Sequence, residues 1–92
     1  MTLHDIVRSL PRLDEELTIY AQSPWSLSSP AIAAVEPEVG GMPDVARRQS
    51  LVYFIEISIA REFLQDWVNS KGGRASTEEQ CERLIQYAQN DA

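Results

Sequence analysis

The chain is poor in the residue types that carry most enzyme chemistry. Cysteine occurs once, as Cys81, which excludes an intrachain disulfide and a thiolate metal cluster. Histidine also occurs once, as His4, so the chain alone supplies neither a histidine-based triad nor a histidine-rich metal site. Long apolar runs are missing as well. The longest, Ala31 to Val35 and Leu51 to Ile55, are far too short to span a bilayer. The stretch from Leu3 to Leu10 is interrupted by His4, Asp5, Arg8 and Ser9, unlike the apolar core of a signal peptide. No phosphate loop is present: Gly40-Gly41 is not followed by Lys and Ser or Thr, and Lys71-Gly72-Gly73-Arg74 fits no nucleotide pattern. Cations are scarce, with 8 Lys and Arg against 14 Asp and Glu and a net charge of −6. A binder of nucleic-acid backbones needs the opposite balance. These absences predict no cofactor, no metal, no nucleic acid and no membrane, in a cytoplasmic setting where small domains do without disulfides.

What remains is an ordinary globular composition, 43% hydrophobic and 24% charged over 92 residues. That length predicts one domain over residues 1–92, with a folded surface of roughly 5,400 Å² from size scaling.

Leu3, Ile6, Val7 and Leu10 recur with helical spacing and predict a short helix over residues 2–10. Thr2 and Asp5 sit where a capping box places them, and Pro11 stops the helix. Leu17 to Ala21 alternates as a strand, with Leu17, Ile19 and Ala21 towards the core and Thr18 and Tyr20 on the other face. Gln22 to Pro30 reads as a long loop, and Ala31 to Val35 as a second strand between Pro30 and Pro37. Glu36 to Asp44 is irregular, with one helical turn expected from Pro43 to Arg48. Leu51 to Ile57 is nearly continuous in apolar residues, which suits a strand covered on both faces at the centre of a sheet. Ile59 to Asn69 predicts a helix capped by Ser58 and ended by Lys71-Gly72-Gly73. Trp67 stands at core spacing on it. Ser76, with Glu79 three residues on, opens a last helix whose buried stripe is Cys81, Leu84, Ile85 and Ala88. The order is α-β-β-(turn)-β-α-α. The economical architecture is α+β: a three-stranded antiparallel sheet with helices packed on one face.

Few residues invite a functional role. His4 beside an apolar stripe reads as structural. Cys81 on a buried stripe reads as a small hydrophobe with a raised pKa, although nearness to a helix N-terminus works the other way. Glu56 interrupts an apolar strand and is expected to pair with an arginine such as Arg61, since no second acid stands at a spacing that a hydrolase pair uses. Trp25, within Pro24-Trp25-Ser26-Leu27, either folds back to plug the sheet or stands at an interface as an aromatic anchor. Acid clusters at Asp14-Glu15-Glu16, Glu36/Glu38 and Glu78-Glu79-Glu82. The last group favours a helix dipole. The first two have no such reason and can steer a basic partner.

Tyr53-Phe54-Ile55-Glu56, Ile59-Ala60-Arg61-Glu62-Phe63-Leu64-Gln65-Asp66-Trp67 and the run from Cys81 to Ala92 together resemble a family of small uncharacterised bacterial α+β proteins over most of the chain. The resemblance implies no catalytic motif. In size and acidity the chain is similar to immunity proteins of bacterial toxin systems, an analogy and nothing closer. The expected function is a non-enzymatic module that covers a basic site on another protein, such as the cleft of a toxin nuclease. In that reading Trp25 and Leu27 anchor the contact, and Asp14, Glu15, Glu16, Glu36 and Glu38 surround it. The alternative is a structural or regulatory homo-oligomer, a dimer for instance, paired through the same apolar loop or an open sheet edge. A third reading, a small enzyme, would need perturbed carboxylates converging in a pocket.

Overall fold

Thr2 begins the fold by closing a capping box: its hydroxyl accepts from the Asp5 amide (3.1 Å) and the Asp5 carboxylate accepts from the Thr2 amide (3.0 Å). These bonds start α1 (Leu3–Ser9) in the computed structural model, which describes residues 1–91. Pro11 then tightens the chain into a 3-10 turn, Leu10–Arg12. The remaining elements are β1 (Leu17–Ala21), β2 (Ala31–Val35), α2 (Asp44–Arg48), β3 (Val52–Glu56), α3 (Ile57–Ser70) and α4 (Thr77–Asp91). The three strands form one antiparallel sheet in the order β2-β1-β3, with helices packed against it. The α+β architecture expected from the pattern is therefore the one observed. The surface of 5683 Å² lies close to the scaling value of roughly 5,400 Å².

Alternation along β1 assigns the two faces. Ile19 and Ala21 join Leu3, Ile6, Val7 and Leu10 of the first helical segment, Ile57, Ala60 and Leu64 of α3, and Cys81, Leu84, Ile85 and Ala88 of α4 in the main core. Thr18 and Tyr20 lie on the other face, where Tyr20 packs with Ala46 and Leu51 and is flanked by Ile32, Ala34 and Met42. The chain from β2 to β3 supplies that second cover, because β2 and β3 sit on opposite sides of β1 and α2 lies between them in sequence.

One strand takes a different place from the one its composition suggests. β3 is an edge strand and β1 is central. The apolar density of β3 has another cause. Tyr20 pairs with Tyr53 and Ile19 with Ile55, which leaves Phe54 as the extra residue of a bulge. Phe54 and Ile55 consequently both enter the main core, so the alternation expected of an edge strand is lost. Two further expectations need correction. The helix after β3 starts at Ile57 with Glu56 as its N-cap and no side-chain cap bond, so Ser58 lies inside the first turn. Arg61 does not pair with Glu56. Its Nε donates to the Leu10 carbonyl (3.0 Å) and its Nη2 to the Leu13 carbonyl. It closes the open C-terminal end of the first helical segment from 48 and 51 residues away.

The other helix ends follow local rules. Gly72 and Gly73, both at positive φ, donate to the carbonyls of Asn69 (3.1 Å) and Val68 (2.9 Å), a Schellman ending for α3. Ser76 and Glu79 exchange backbone-to-side-chain bonds of 3.1 Å each at the start of α4.

Hydrogen bonds from a charged donor contribute about 1.5–3 kcal/mol when their partners would otherwise be stranded. Arg61→Met is expected to lower the unfolding free energy by about 2 kcal/mol with little change in the denaturant slope. Urea titration followed by circular dichroism measures both quantities.

Candidate functional site

The residues singled out for partner binding fall at two separate places. Asp14 sits at the turn that feeds β1. Its carboxylate accepts from the Glu16 amide (2.9 Å) and its carbonyl from the Leu17 amide (3.0 Å), an Asx-stabilised turn that leaves Glu15 and Glu16 exposed. Leu17 is paired with Val35. Glu36 therefore leaves β2 at the same end of the sheet. Glu38 follows in a turn closed by the Gly40 amide on the Pro37 carbonyl (3.0 Å), and both acids are exposed. Pairing of β1 with β2 thus gathers Asp14, Glu15, Glu16, Glu36 and Glu38 around one end of the sheet. Among the described residues the ion pairs are Arg8–Asp5 (2.6 Å) and Arg47–Asp44, and neither involves these five carboxylates.

Trp25 and Leu27 belong to the loop at the opposite end, between Ala21 and Ala31, which pair with each other. A five-residue strand separates the ends by about 14 Å at ~3.4 Å per residue. Trp25 is half-buried. Its ring meets Phe54 edge-on, with centroids 4.8 Å apart and planes at 86°, and its Nε1 donates to the Ala21 carbonyl (3.3 Å). Leu27 is half-buried too, packs on the main core and uses its carbonyl to accept from the His4 amide (3.1 Å). Ser29 accepts from the Leu3 amide in the same way (2.9 Å). This loop satisfies the first free amides of α1, which have no partner within the helix. Of the two readings of Trp25, the geometry matches the plug.

Two residues that alternation gave no cause to select stand among the acids. Val35 is 67% exposed at the end of β2, and Val39 is 98% exposed in the next turn. An apolar contact with a charged surround is the usual arrangement of a protein interface. The visible signal was weak: Val35 closes a strand of small residues, and Val39 sits between Glu38 and Gly40.

Acid also reaches the second face of the sheet. Glu56 pairs with Thr18 across β1 and β3. Burial raises the pKa of both Tyr20 and Tyr53, and carboxylates add to the effect, Glu36 at Tyr20 and Glu56 with Glu36 at Tyr53. The two rings meet edge-on at 6.4 Å. The Tyr20 hydroxyl is buried without a hydrogen-bond partner.

Cys81 is 1% exposed. Burial, with a smaller contribution from Glu82, pushes its thiol up to about 11. A thiol raised in this way is neutral at neutral pH. Among the described residues no group of three His, Cys, Asp or Glu could hold a metal ion. No helix there is long and apolar enough to cross a membrane.

Two measurements follow from this placement. Trp25→Ala removes half-buried aromatic packing and is expected to lower stability by about 2 kcal/mol or more, below the cost of a fully buried ring, as read by urea denaturation. The raised thiol pKa makes Cys81 a source of alkaline instability. Its folded form favours the neutral thiol, so its contribution is intact below pH 9, the ordinary thiol value, and is lost as pH rises towards about 11. Urea midpoints at pH 8 and 10.5 should fall less for Cys81→Ala than for the parent chain.

Comparison with protein-family models, with curated proteins and with solved structures returns no match for this chain.

Proposed function

We propose that this chain is a non-enzymatic binding module whose acidic sheet end covers a basic site on another protein. The single observation that supports the reading is the convergence of Asp14, Glu15, Glu16, Glu36 and Glu38 at one end of the β1–β2 pair, outside every ion pair among the described residues. Gathering like charges costs folding free energy through mutual repulsion. Only Asp14 repays that cost locally, through its turn. A basic partner repays it for the rest.

Val35 and Val39 supply the apolar part of this surface. They take the place that the sequence gave to Trp25 and Leu27, whose side chains pack on the core. A cleft that binds nucleic-acid phosphates has the complementary charge, so a toxin nuclease is the partner class proposed. The bacterial resemblance of residues 53–56, 59–67 and 81–92 belongs to the same proposal, as does a cytoplasmic setting. Electrostatic encounter of this kind is fast and falls steeply with ionic strength.

A different observation favours a second reading, the homo-oligomer. β3 is an open edge whose Val52 and Tyr53 are 40% and 41% exposed, and such an edge can pair with a copy of itself. Gel filtration with light scattering decides between the two. A monomer removes the oligomer reading, and a concentration-independent dimer supports it.

The binding reading is tested by capture on the tagged chain from lysate, washed at low and then high salt, with mass spectrometry of the bound proteins. The expected result is one basic protein, retained near stoichiometrically at low salt and released by high salt. A variant carrying Asp14→Asn, Glu15→Gln, Glu16→Gln, Glu36→Gln and Glu38→Gln should lose that protein, with association slowed by about tenfold or more. Recovery of the bait alone, or equal capture by the neutralised variant, contradicts the proposal.

A further inference from the structure

The face of the molecule between α1, α3 and the start of α4 carries a groove of about 530 Å³, within the size range of small-molecule sites. Its floor is apolar, made by Val7 and Leu10 from the first helical segment and Leu64 and Val68 from α3. Its polar rim has an unusual charge. Arg8 and Arg61 line it, and no Asp or Glu does, on a chain with 14 acids and a net charge of −6.

Arg61 is the decisive group. It is half-buried, and its hydrogen bonds go to two backbone carbonyls, those of Leu10 and Leu13. Carbonyls satisfy N–H groups and leave the positive charge in place. Among the described residues no carboxylate pairs with it. A cation held partly out of water without a counter-ion is costly. Arg8 adds a second cation whose one ion pair, with Asp5, is exposed. Thr77, the first residue of α4, also borders the groove.

We propose that this groove binds an aliphatic carboxylate, its tail on Val7, Leu10, Leu64 and Val68 and its charged head between Arg8 and Arg61. The guanidinium of Arg61 keeps a nitrogen, Nη1, beyond the two that hold the carbonyls, and a carboxylate matches its planar donor geometry. The tail displaces water from apolar wall and the head supplies the missing counter-charge. The groove uses none of the five carboxylates of the acidic sheet end, so the two sites stand or fall separately.

The test is an amide nitrogen–proton NMR titration with octanoate, with octylammonium and acetate as probes of charge and tail. Octanoate is expected to shift amides of Val7, Leu64, Val68, Thr77 and Gln80, and to bind about tenfold or more tighter than either probe. Arg61 also holds the first helical segment, so a milder change isolates the site. Gln65→Glu places a carboxylate on the groove wall at an exposed position and should weaken octanoate about fivefold or more while the circular dichroism spectrum is unchanged. Octylammonium binding as tightly as octanoate would overturn the charge argument, and acetate binding as tightly would overturn the tail. Octanoate shifts confined to residues outside the groove, no shifts at all, or equal affinity for the Gln65→Glu chain would each overturn the proposal.

Discussion

Among the described residues β1 is the only strand hydrogen-bonded on both sides and buried on both faces, with Thr18, Ile19, Tyr20 and Ala21 all buried. A five-residue strand in that position must find cover twice. The larger cover is helical: α1, α3 and α4 close over Ile19 and Ala21. The smaller is the chain between β2 and β3, which sets Ala46 and Leu51 against Tyr20. The helical cover has to be tied down at its ends, and long-range bonds do this. The loop after β1 holds the start of α1 through the carbonyls of Leu27 and Ser29. Arg61 of α3 holds its other end through Leu10 and Leu13. The first helical segment is thus fixed at both ends by groups remote in sequence, as a short helix requires, since its own propensity cannot hold it.

Much of this was legible from residues a few positions apart. β1 and β2 follow from alternation and from the prolines that bound β2, and their limits match the expected ones. The two capping boxes, Thr2 with Asp5 and Ser76 with Glu79, are three-residue patterns whose chemistry is complete within the pattern. Cys81, Leu84, Ile85 and Ala88 form the buried stripe that their spacing implied. What escaped depends on contacts that sequence distance hides. The bulge at Phe54 sends two adjacent side chains into one core and so disguises an edge strand as a central one. The Arg61 clamp joins residues 48 and 51 positions apart, and nothing in Ala60-Arg61-Glu62 announces it. Glu56, five residues before Arg61, is the partner that local reasoning proposes. The strand register gave it Thr18 instead.

The same register explains why the residues singled out for partner binding stand at two places. Trp25 and Leu27 follow β1 in sequence, and Asp14, Glu15 and Glu16 precede it. A strand carries its two ends away from each other. One end of the β1–β2 pair became an apolar plug that stabilises α1, and the other collected carboxylates with Val35 and Val39 between them. Stability and surface charge are therefore divided along a single strand. A third region, the groove beside Arg61, is lined by two arginines and by no acid.

In the proposed function the carboxylates at the sheet end serve a partner and not the fold. The unfolding free energy of the variant Asp14→Asn, Glu15→Gln, Glu16→Gln, Glu36→Gln, Glu38→Gln tests it most directly. Asparagine keeps the oxygen that accepts from the Glu16 amide, so the turn survives the substitution. Relief of repulsion should leave stability equal or higher by up to about 1 kcal/mol, measured by urea denaturation at low salt. A loss of more than about 1 kcal/mol would mean that these acids hold the sheet together, and would contradict the account.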